Sequence, residues 1–126
     1  MDKVRPRDIV LFCTGWDRMW GSDNYAKETP YLSNELALWL VAQNVKLVGT
    51  DTALCCDPRQ GIEFVAKDAN ISDTILLKHG IPYINGLVNL EQLSGKRIKF
   101  LALPLKIALA EGAPVRAIAL DENMDG

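Results

Sequence analysis

Imidazole and thiol side chains, which supply many nucleophiles, bases and zinc ligands, are few in this chain of 126 residues. There is one histidine, His79, and there are three cysteines, Cys13, Cys55 and Cys56. A metal site built from several histidines of one chain is therefore excluded. A catalytic cysteine needs a neighbouring base or cation that lowers its pKa, and nothing in the sequence brings His79 to a cysteine. No catalytic residue can be assigned from these side chains.

The cysteine pattern is typical of reduced thiols in a cytoplasmic protein. An odd count with an adjacent pair is a poor disulfide framework, because bridging Cys55 and Cys56 would close a strained ring. We expect the three cysteines to be small buried apolar side chains, and a thiolate ligand or nucleophile is the open alternative. His79 precedes Gly80, and we expect it to be a helix C-terminal or surface residue.

Composition and charge narrow the class of protein. Hydrophobic residues make up 48% and charged residues 24%, and the net charge is −2. The small net negative charge gives no electrostatic attraction to nucleic acid. No apolar run approaches the ~18 residues of a membrane span. We therefore expect one globular domain over residues 1–126, with no nucleic-acid partner and no membrane contact.

Strand and helix patterns alternate along the chain and must position these side chains. The pattern predicts a mixed α/β fold with a sheet of about five strands and two main helices. Residues 15–30 are polar and predict a long loop, a kind of segment that is usually functional in a compact domain. The predicted strands span residues 8–14, 45–50, 82–85, 99–103 and 115–120, and the predicted helices span residues 33–44 and 72–79.

Both helices have recognisable ends. Ser33 is the expected N-cap of the first helix, and Asn44 is the expected left-handed residue after its end. Leu36, Trp39 and Leu40 share one face, so we expect them to form the buried stripe. The second helix is expected to take Ser72 as its cap and to stop at a glycine.

Short segments with a shared order along nearly the whole chain support a family assignment. They are Arg7–Leu11, Thr14–Trp16, Trp20–Gly21, Tyr25, Pro30–Ser33, Trp39–Leu40, Val45–Thr52, Leu76–Leu77, Gly80–Ile81, Asn89–Leu90, Leu93, Leu103–Lys106 and Pro114–Ala117. With these segments the chain resembles the C-terminal half of the cyclase family, the metal-dependent hydrolases that include bacterial kynurenine formamidase. The resemblance implies a swivelling β/β/α fold, truncated here, and a homo-oligomer.

The resemblance also implies a metal site in two parts. The family uses zinc or manganese to hydrolyse an amide or lactam such as that of N-formylkynurenine. An N-terminal motif of the type His-x-Gly-Thr-His-x-Asp supplies the first ligands, and that motif does not occur in this sequence. A later histidine and glutamate supply the rest, and the matching positions here are Asp73 and Asn85.

The residues at the two matching positions are poor ligands for a hydrolytic metal ion. One carboxylate and one neutral amide oxygen cannot hold Zn²⁺ tightly or activate its water. We therefore expect no metal and no cofactor. Asp73 is best interpreted as an acid in the first turn of a helix, with a residual ligand as the alternative.

The resemblance suggests a pocket for a small aromatic ligand, lined by Trp16 and Trp20. The alternative is that these tryptophans pack against the core or a subunit partner. Asp51 follows a predicted strand and is either a pocket carboxylate or an Asx cap of the next turn, which we favour.

Three functions are compatible with the sequence. We expect a truncated cyclase-like protein without hydrolase activity that keeps a small-molecule pocket in a homo-oligomer, since uncovered sheet edges and apolar surface favour self-association. The first alternative is an amide hydrolase whose metal site another chain completes. The second alternative is an interaction or assembly module in which the aromatic loop is an interface.

Overall fold

Strands and helices alternate in a computed structural model that describes residues 3–60 and 71–120. The described residues form five strands and two α-helices, as predicted. The elements are β1 (Ile9–Phe12), α1 (Asn34–Ala42), β2 (Leu47–Thr50), α2 (Ser72–Lys78), β3 (Tyr83–Ile84), β4 (Lys99–Pro104) and β5 (Val115–Leu120). Short 3-10 helices occur at Trp16–Met19, Pro58–Gln60 and Leu90–Leu93. None of the helices in these ranges has the length and apolar character needed to cross a bilayer.

The described strands form two sheets, so the prediction of a single five-stranded sheet is wrong. Strands β1, β2 and β3 pair in parallel in that order, with Phe12 opposite Thr50 and Gly49 opposite Ile84. Strands β4 and β5 form an antiparallel pair in which Lys99 lies opposite Leu120. Because the parallel strands run in one direction, the segments that follow them emerge at one edge, where open α/β sheets commonly bind ligands. We call this the carboxyl edge.

The chain divides into two compact units, residues 1–94 and residues 95–126. In the first unit, both helices and strand β2 supply the hydrophobic core, which includes Leu40, Val48 and Leu76, none of them exposed at all. In the second unit, no described residue between 95 and 120 is buried. The apolar residues of the β4–β5 hairpin therefore lack a core of their own.

Helix α1 begins and ends as predicted, but its buried face differs. The Ser33 hydroxyl accepts a hydrogen bond from the Leu36 N–H at 3.2 Å, and Asn44 has a φ of 55°. Leu40 is buried as expected, whereas Trp39 is 46% exposed. The prediction for Trp39 is wrong because the helix turns Ala37 toward the core.

Helix α2 does not use Ser72 as its cap. The N-cap is Ile71, with no side-chain hydrogen bond, and the Ser72 hydroxyl instead donates to the buried Cys55 carbonyl at 3.1 Å. A hydrogen bond to a residue distant in sequence therefore replaces the predicted capping hydrogen bond within the helix. The helix ends as predicted, with His79 as an exposed C-cap and Gly80 at a φ of 70°.

Candidate functional site

Asp51 lies at the carboxyl edge, directly after β2, and is 1% exposed. Its carboxylate accepts hydrogen bonds from the Thr14 N–H at 2.9 Å, the Thr14 hydroxyl at 2.7 Å and the Gly15 N–H at 2.7 Å. A buried carboxylate needs such donors, and these come from the segment after β1. The favoured interpretation of Asp51 as a cap of the following turn is therefore wrong, since Asp51 holds the start of the loop at residues 14–25.

The loop at residues 14–25, which we call the aromatic loop, is ordered by its own side chains. The Trp16 indole N–H donates to the Tyr25 carbonyl at 2.9 Å. Trp20 and Tyr25 pack edge to face with ring centroids 5.0 Å apart. Trp16 is half-buried, whereas Trp20 is 72% exposed. The loop therefore presents an exposed indole ring on a supporting tyrosine.

Two polar contacts attach the aromatic loop to the segment after β3. The Asp17 carboxylate accepts a hydrogen bond from the Asn89 N–H at 3.1 Å. Arg18 forms an ion pair with Glu91. The aromatic loop is thus attached at the ends of all three parallel strands.

Asn85 also lies at the carboxyl edge, directly after β3. Its side-chain oxygen accepts a hydrogen bond from the Thr50 hydroxyl at 3.3 Å, and Thr50 accepts one from Thr52 at 2.8 Å. This relay of hydroxyls occupies one of the two lone pairs of the Asn85 oxygen. The Asn85 amide nitrogen is a hydrogen-bond donor.

Asp73 lies in the first turn of α2 and is surrounded by donors. Its carboxylate accepts a hydrogen bond from the Tyr83 hydroxyl at 3.0 Å, and its charge helps to raise the pKa of the Cys55 and Cys56 thiols. We call these four residues the thiol cluster. Cys55 is fully buried and Cys56 nearly so, as predicted, but Cys13 is exposed, contrary to expectation.

Burial keeps the donors of the thiol cluster protonated. Burial, and after it the charge of Asp73, raise the pKa of Cys56 to about 11 and raise the pKa of Cys55 further. The same two causes raise the pKa of the Tyr83 hydroxyl. At neutral pH these groups therefore keep their protons, and the thiols are not nucleophiles.

A shallow cavity of about 160 Å³ opens beside the thiol cluster. Its lining residues are Tyr31, Leu32, Ser33, Asn34, Glu35, Cys56, Asp57, Ile71 and Ser72. Asp57 is held by Arg59, whose guanidinium hydrogen bonds lower the pKa of the carboxyl to about 2. Trp16, Trp20 and Asp51 do not line this cavity, and their role in a pocket stays a prediction.

The donor set at the two matching positions does not fit a hydrolytic zinc or manganese ion. Asp73 already accepts a hydrogen bond from a phenol, and Asn85 offers only a neutral oxygen that also accepts a hydrogen bond. Within residues 3–60 and 71–120, no three His, Cys, Asp or Glu side chains are grouped so that they could hold a metal ion.

Sequence reasoning missed two tyrosines that organise these sites. Tyr83 is placed against Asp73 only by the packing of α2 on β3, which no local pattern reveals. Tyr25 lies near Asp51 and Asp17, and burial followed by these two charges raises the pKa of its hydroxyl.

Comparison with known proteins finds a matching family model and several relatives. The cyclase family model matches residues 1–55. An uncharacterized protein of Methanocaldococcus jannaschii is 33% identical over 122 residues, which are 94% of this chain and 57% of that protein. The kynurenine formamidase of Erythrobacter litoralis is 35% identical over 118 residues, 91% of this chain and 49% of the enzyme. The chain spans about half the length of the curated relatives it matches.

Solved structures agree with these relatives. A potential metal-dependent hydrolase with cyclase activity superposes with a TM-score of 0.69 and 25% identity, over 94% of this chain and 53% of that one. An isatin hydrolase bound to the product analogue thioisatinate has the same fold, with a TM-score of 0.73 and 22% identity over 93% of this chain and 46% of its own. The predicted cyclase-like α/β fold is therefore confirmed. Sequence and fold together identify the chain as a member of the cyclase family, similar to about half of a kynurenine formamidase.

Proposed function

We propose that this chain is a cytoplasmic, cyclase-like binding protein that holds a small aromatic molecule without hydrolysing it and works as a homo-oligomer. The observation that favours this most is the state of Asp73. Its carboxylate accepts a hydrogen bond from the Tyr83 hydroxyl at 3.0 Å and lies beside two thiols that stay protonated at neutral pH, so part of its lone-pair capacity is already used.

Asn85 supports the same proposal from the other matching position. A glutamate there would bring negative charge toward a cation, whereas an amide is neutral, shares its oxygen with Thr50 and also carries a hydrogen-bond donor. A donor at the carboxyl edge suits a carbonyl or carboxylate oxygen of a ligand. The exposed Trp20 ring supplies a flat apolar surface beside the same edge for an aromatic ring.

Hydrolysis is tested with the purified chain and N-formylkynurenine in the presence of Zn²⁺ or Mn²⁺. We expect no turnover above the metal-only background. The double variant Asp73→His/Asn85→Glu restores the residue types of the family, and we expect it to bind Zn²⁺ more tightly in calorimetry than the parent chain does. Turnover by the parent chain that a chelator abolishes would refute the proposal.

Ligand binding is tested by thermal shift with small aromatic acids and amides. We expect a ligand that raises the melting temperature of the parent chain and of Leu77→Ala, but not of Trp20→Ala. Leu77 is a fitting control because it is also exposed but lies on α2, outside the aromatic loop. The absence of any shift across the panel would favour the interaction-module alternative.

A hydrolase whose metal site another chain completes is the remaining alternative. It predicts that a separate polypeptide with the His-x-Gly-Thr-His-x-Asp motif confers turnover on this chain. Mixing the two chains with Zn²⁺ and N-formylkynurenine measures this directly. Under our proposal the mixture stays inactive, because Asp73 and Asn85 cannot complete the ligand set.

A further inference from the structure

Helix α1 is apolar on both sides. Its inner side places Ala37 and Leu40 in the core, where both are fully buried. Its outer side has Leu38, 52% exposed, and Trp39, 46% exposed. A helix that is hydrophobic all round is normally covered on all sides. Something outside the chain's own core is therefore expected to cover the outer side.

The outer side forms one continuous stripe. Glu35, Leu38, Trp39 and Ala42 have the spacing of a single helix face, and all four are exposed. We call them the α1 stripe. It is about 10 Å long at 1.5 Å per residue, and its single charge is the carboxylate of Glu35 at one end.

The β4–β5 hairpin has an uncovered apolar face as well. The register puts three residues of each strand on that face, which we call the hairpin face. They are Lys99, Leu101, Leu103, Arg116, Ile118 and Leu120. Leu103, Ile118 and Leu120 are 59%, 41% and 47% exposed. A two-stranded hairpin is marginally stable in water unless another element covers it, so this face also needs a partner.

The two surfaces are complementary in charge. Lys99 lies at one end of the hairpin face and Arg116 at the other, so Glu35 can meet a basic residue in either direction of packing.

We propose that the α1 stripe of one copy packs on the hairpin face of a second copy, and the reverse, in a two-fold dimer. The inference rests on the proposed homo-oligomer and names its interface. A second copy is the occupant that the charges favour, because each copy offers one acidic helix stripe and one basic hairpin face. Two-fold symmetry satisfies both surfaces of both copies at once. A helix on a sheet face is also an ordinary layered packing.

Single apolar substitutions test the surfaces, with the mass measured by sedimentation equilibrium and the fold checked by far-UV circular dichroism. We expect Trp39→Glu and Ile118→Glu each to weaken dimerisation by roughly tenfold or more, as a buried charge at an interface centre does. The matched control is Leu77→Glu, at a leucine of α2 that is 55% exposed and lies outside both surfaces. This control should leave the dimer unchanged.

Charge exchange between copies provides the second test and does not depend on how well each variant folds alone. Glu35→Lys in one preparation and Lys99→Glu/Arg116→Glu in another should each dimerise weakly. Mixing the two should restore a heterodimer, because both contacts then regain opposite charges. Damage to folding cannot produce such a recovery.

Three results would overturn the interface: a monomeric parent chain at micromolar concentration, a control as disruptive as Trp39→Glu, or no recovery on mixing. A parent chain that dimerises while the variants do not weaken it would leave the homo-oligomer standing and remove only this interface. The hydrolysis and ligand assays have separate readouts, so the failure of the interface and that of the proposed function are distinguishable.

Discussion

Asp73 and its donors form a neutral-pH hydrogen-bond cluster in which the carboxylate is the only charged member. Burial makes ionisation of Cys55, Cys56 and Tyr83 unfavourable, and the nearby charge of Asp73 makes it more so. Both causes therefore favour the protonated forms of the two thiols and of the Tyr83 hydroxyl. This protonated state is what separates the cluster chemically from a thiolate metal site, in which the sulfurs must lose their protons.

Thiol accessibility provides the first prediction at the residue scale. A thiol reagent such as Ellman's reagent should label Cys13 quickly in the folded chain, because Cys13 is exposed and the other two cysteines are buried. Cys55 and Cys56 should react only after denaturation, since both burial and a raised pKa suppress their thiolates. The Cys13→Ala variant is the control and should show no fast labelling. Rapid labelling of that variant would contradict the structure.

The pH dependence of stability is the second prediction. The thiol of Cys56 holds its proton more tightly in the folded state, where its pKa is about 11, than in the unfolded state, where it is about 9. Its contribution to the free energy of unfolding is therefore complete below pH 9 and is lost as the pH rises toward 11. Urea denaturation from pH 8 to pH 11 measures this loss.

Cysteine variants are the controls for that pH dependence. In Cys55→Ala/Cys56→Ala the stability should fall less steeply above pH 9 than in the parent chain. Cys13→Ala, which keeps the thiol cluster intact, should retain the full slope. Equal slopes in all three proteins would show that the buried thiols do not titrate as described.

At the scale of elements, local signals predicted α1 better than α2. Ser33 and Asn44 determine the ends of α1 through contacts within a few residues, so the sequence alone was sufficient. Ser72 failed as a predicted cap because its hydroxyl bonds to Cys55, a residue far away in sequence. The same reason applies to Trp39, whose exposure depends on how α1 is rotated against the sheet.

The close approach at Gly49 provides a prediction about the parallel sheet. A Cβ at this position of β2 would lie 2.6 Å from a methyl carbon of Leu11 and 2.8 Å from one of Leu87. Gly49→Ala should therefore reduce the free energy of unfolding by about 1–3 kcal/mol, as small overpacking does. Gly112→Ala, where a Cβ meets nothing within 4 Å, is the matched control. Chemical denaturation that ranks the two variants alike would contradict this packing.

At the scale of the whole molecule, the order of elements could be predicted because each has its own periodicity. The carboxyl edge could be located as well, since it follows from strands that run in parallel. The hydrogen bonds from Thr14 to Asp51 and from Thr50 to Asn85 could not be derived, because each joins segments that are distant in sequence. The uncovered faces of α1 and the hairpin were also missed, because periodicity does not reveal which of two apolar faces is buried.

Coupling between folding and association is the prediction for the whole molecule. If the α1 stripe and the hairpin face cover each other between copies, the dimer is more stable than the monomer, and mass action makes the melting temperature rise with protein concentration. Calorimetric scans over a hundredfold range of protein concentration measure this rise. Each tenfold increase in concentration corresponds to about 1.4 kcal/mol of stability. Trp39→Glu should melt at a lower temperature than the parent chain at concentrations where the parent chain is dimeric, whereas Leu77→Glu should follow the parent chain. A parent chain whose melting temperature is independent of concentration would mean that neither face contributes to folding through a second copy.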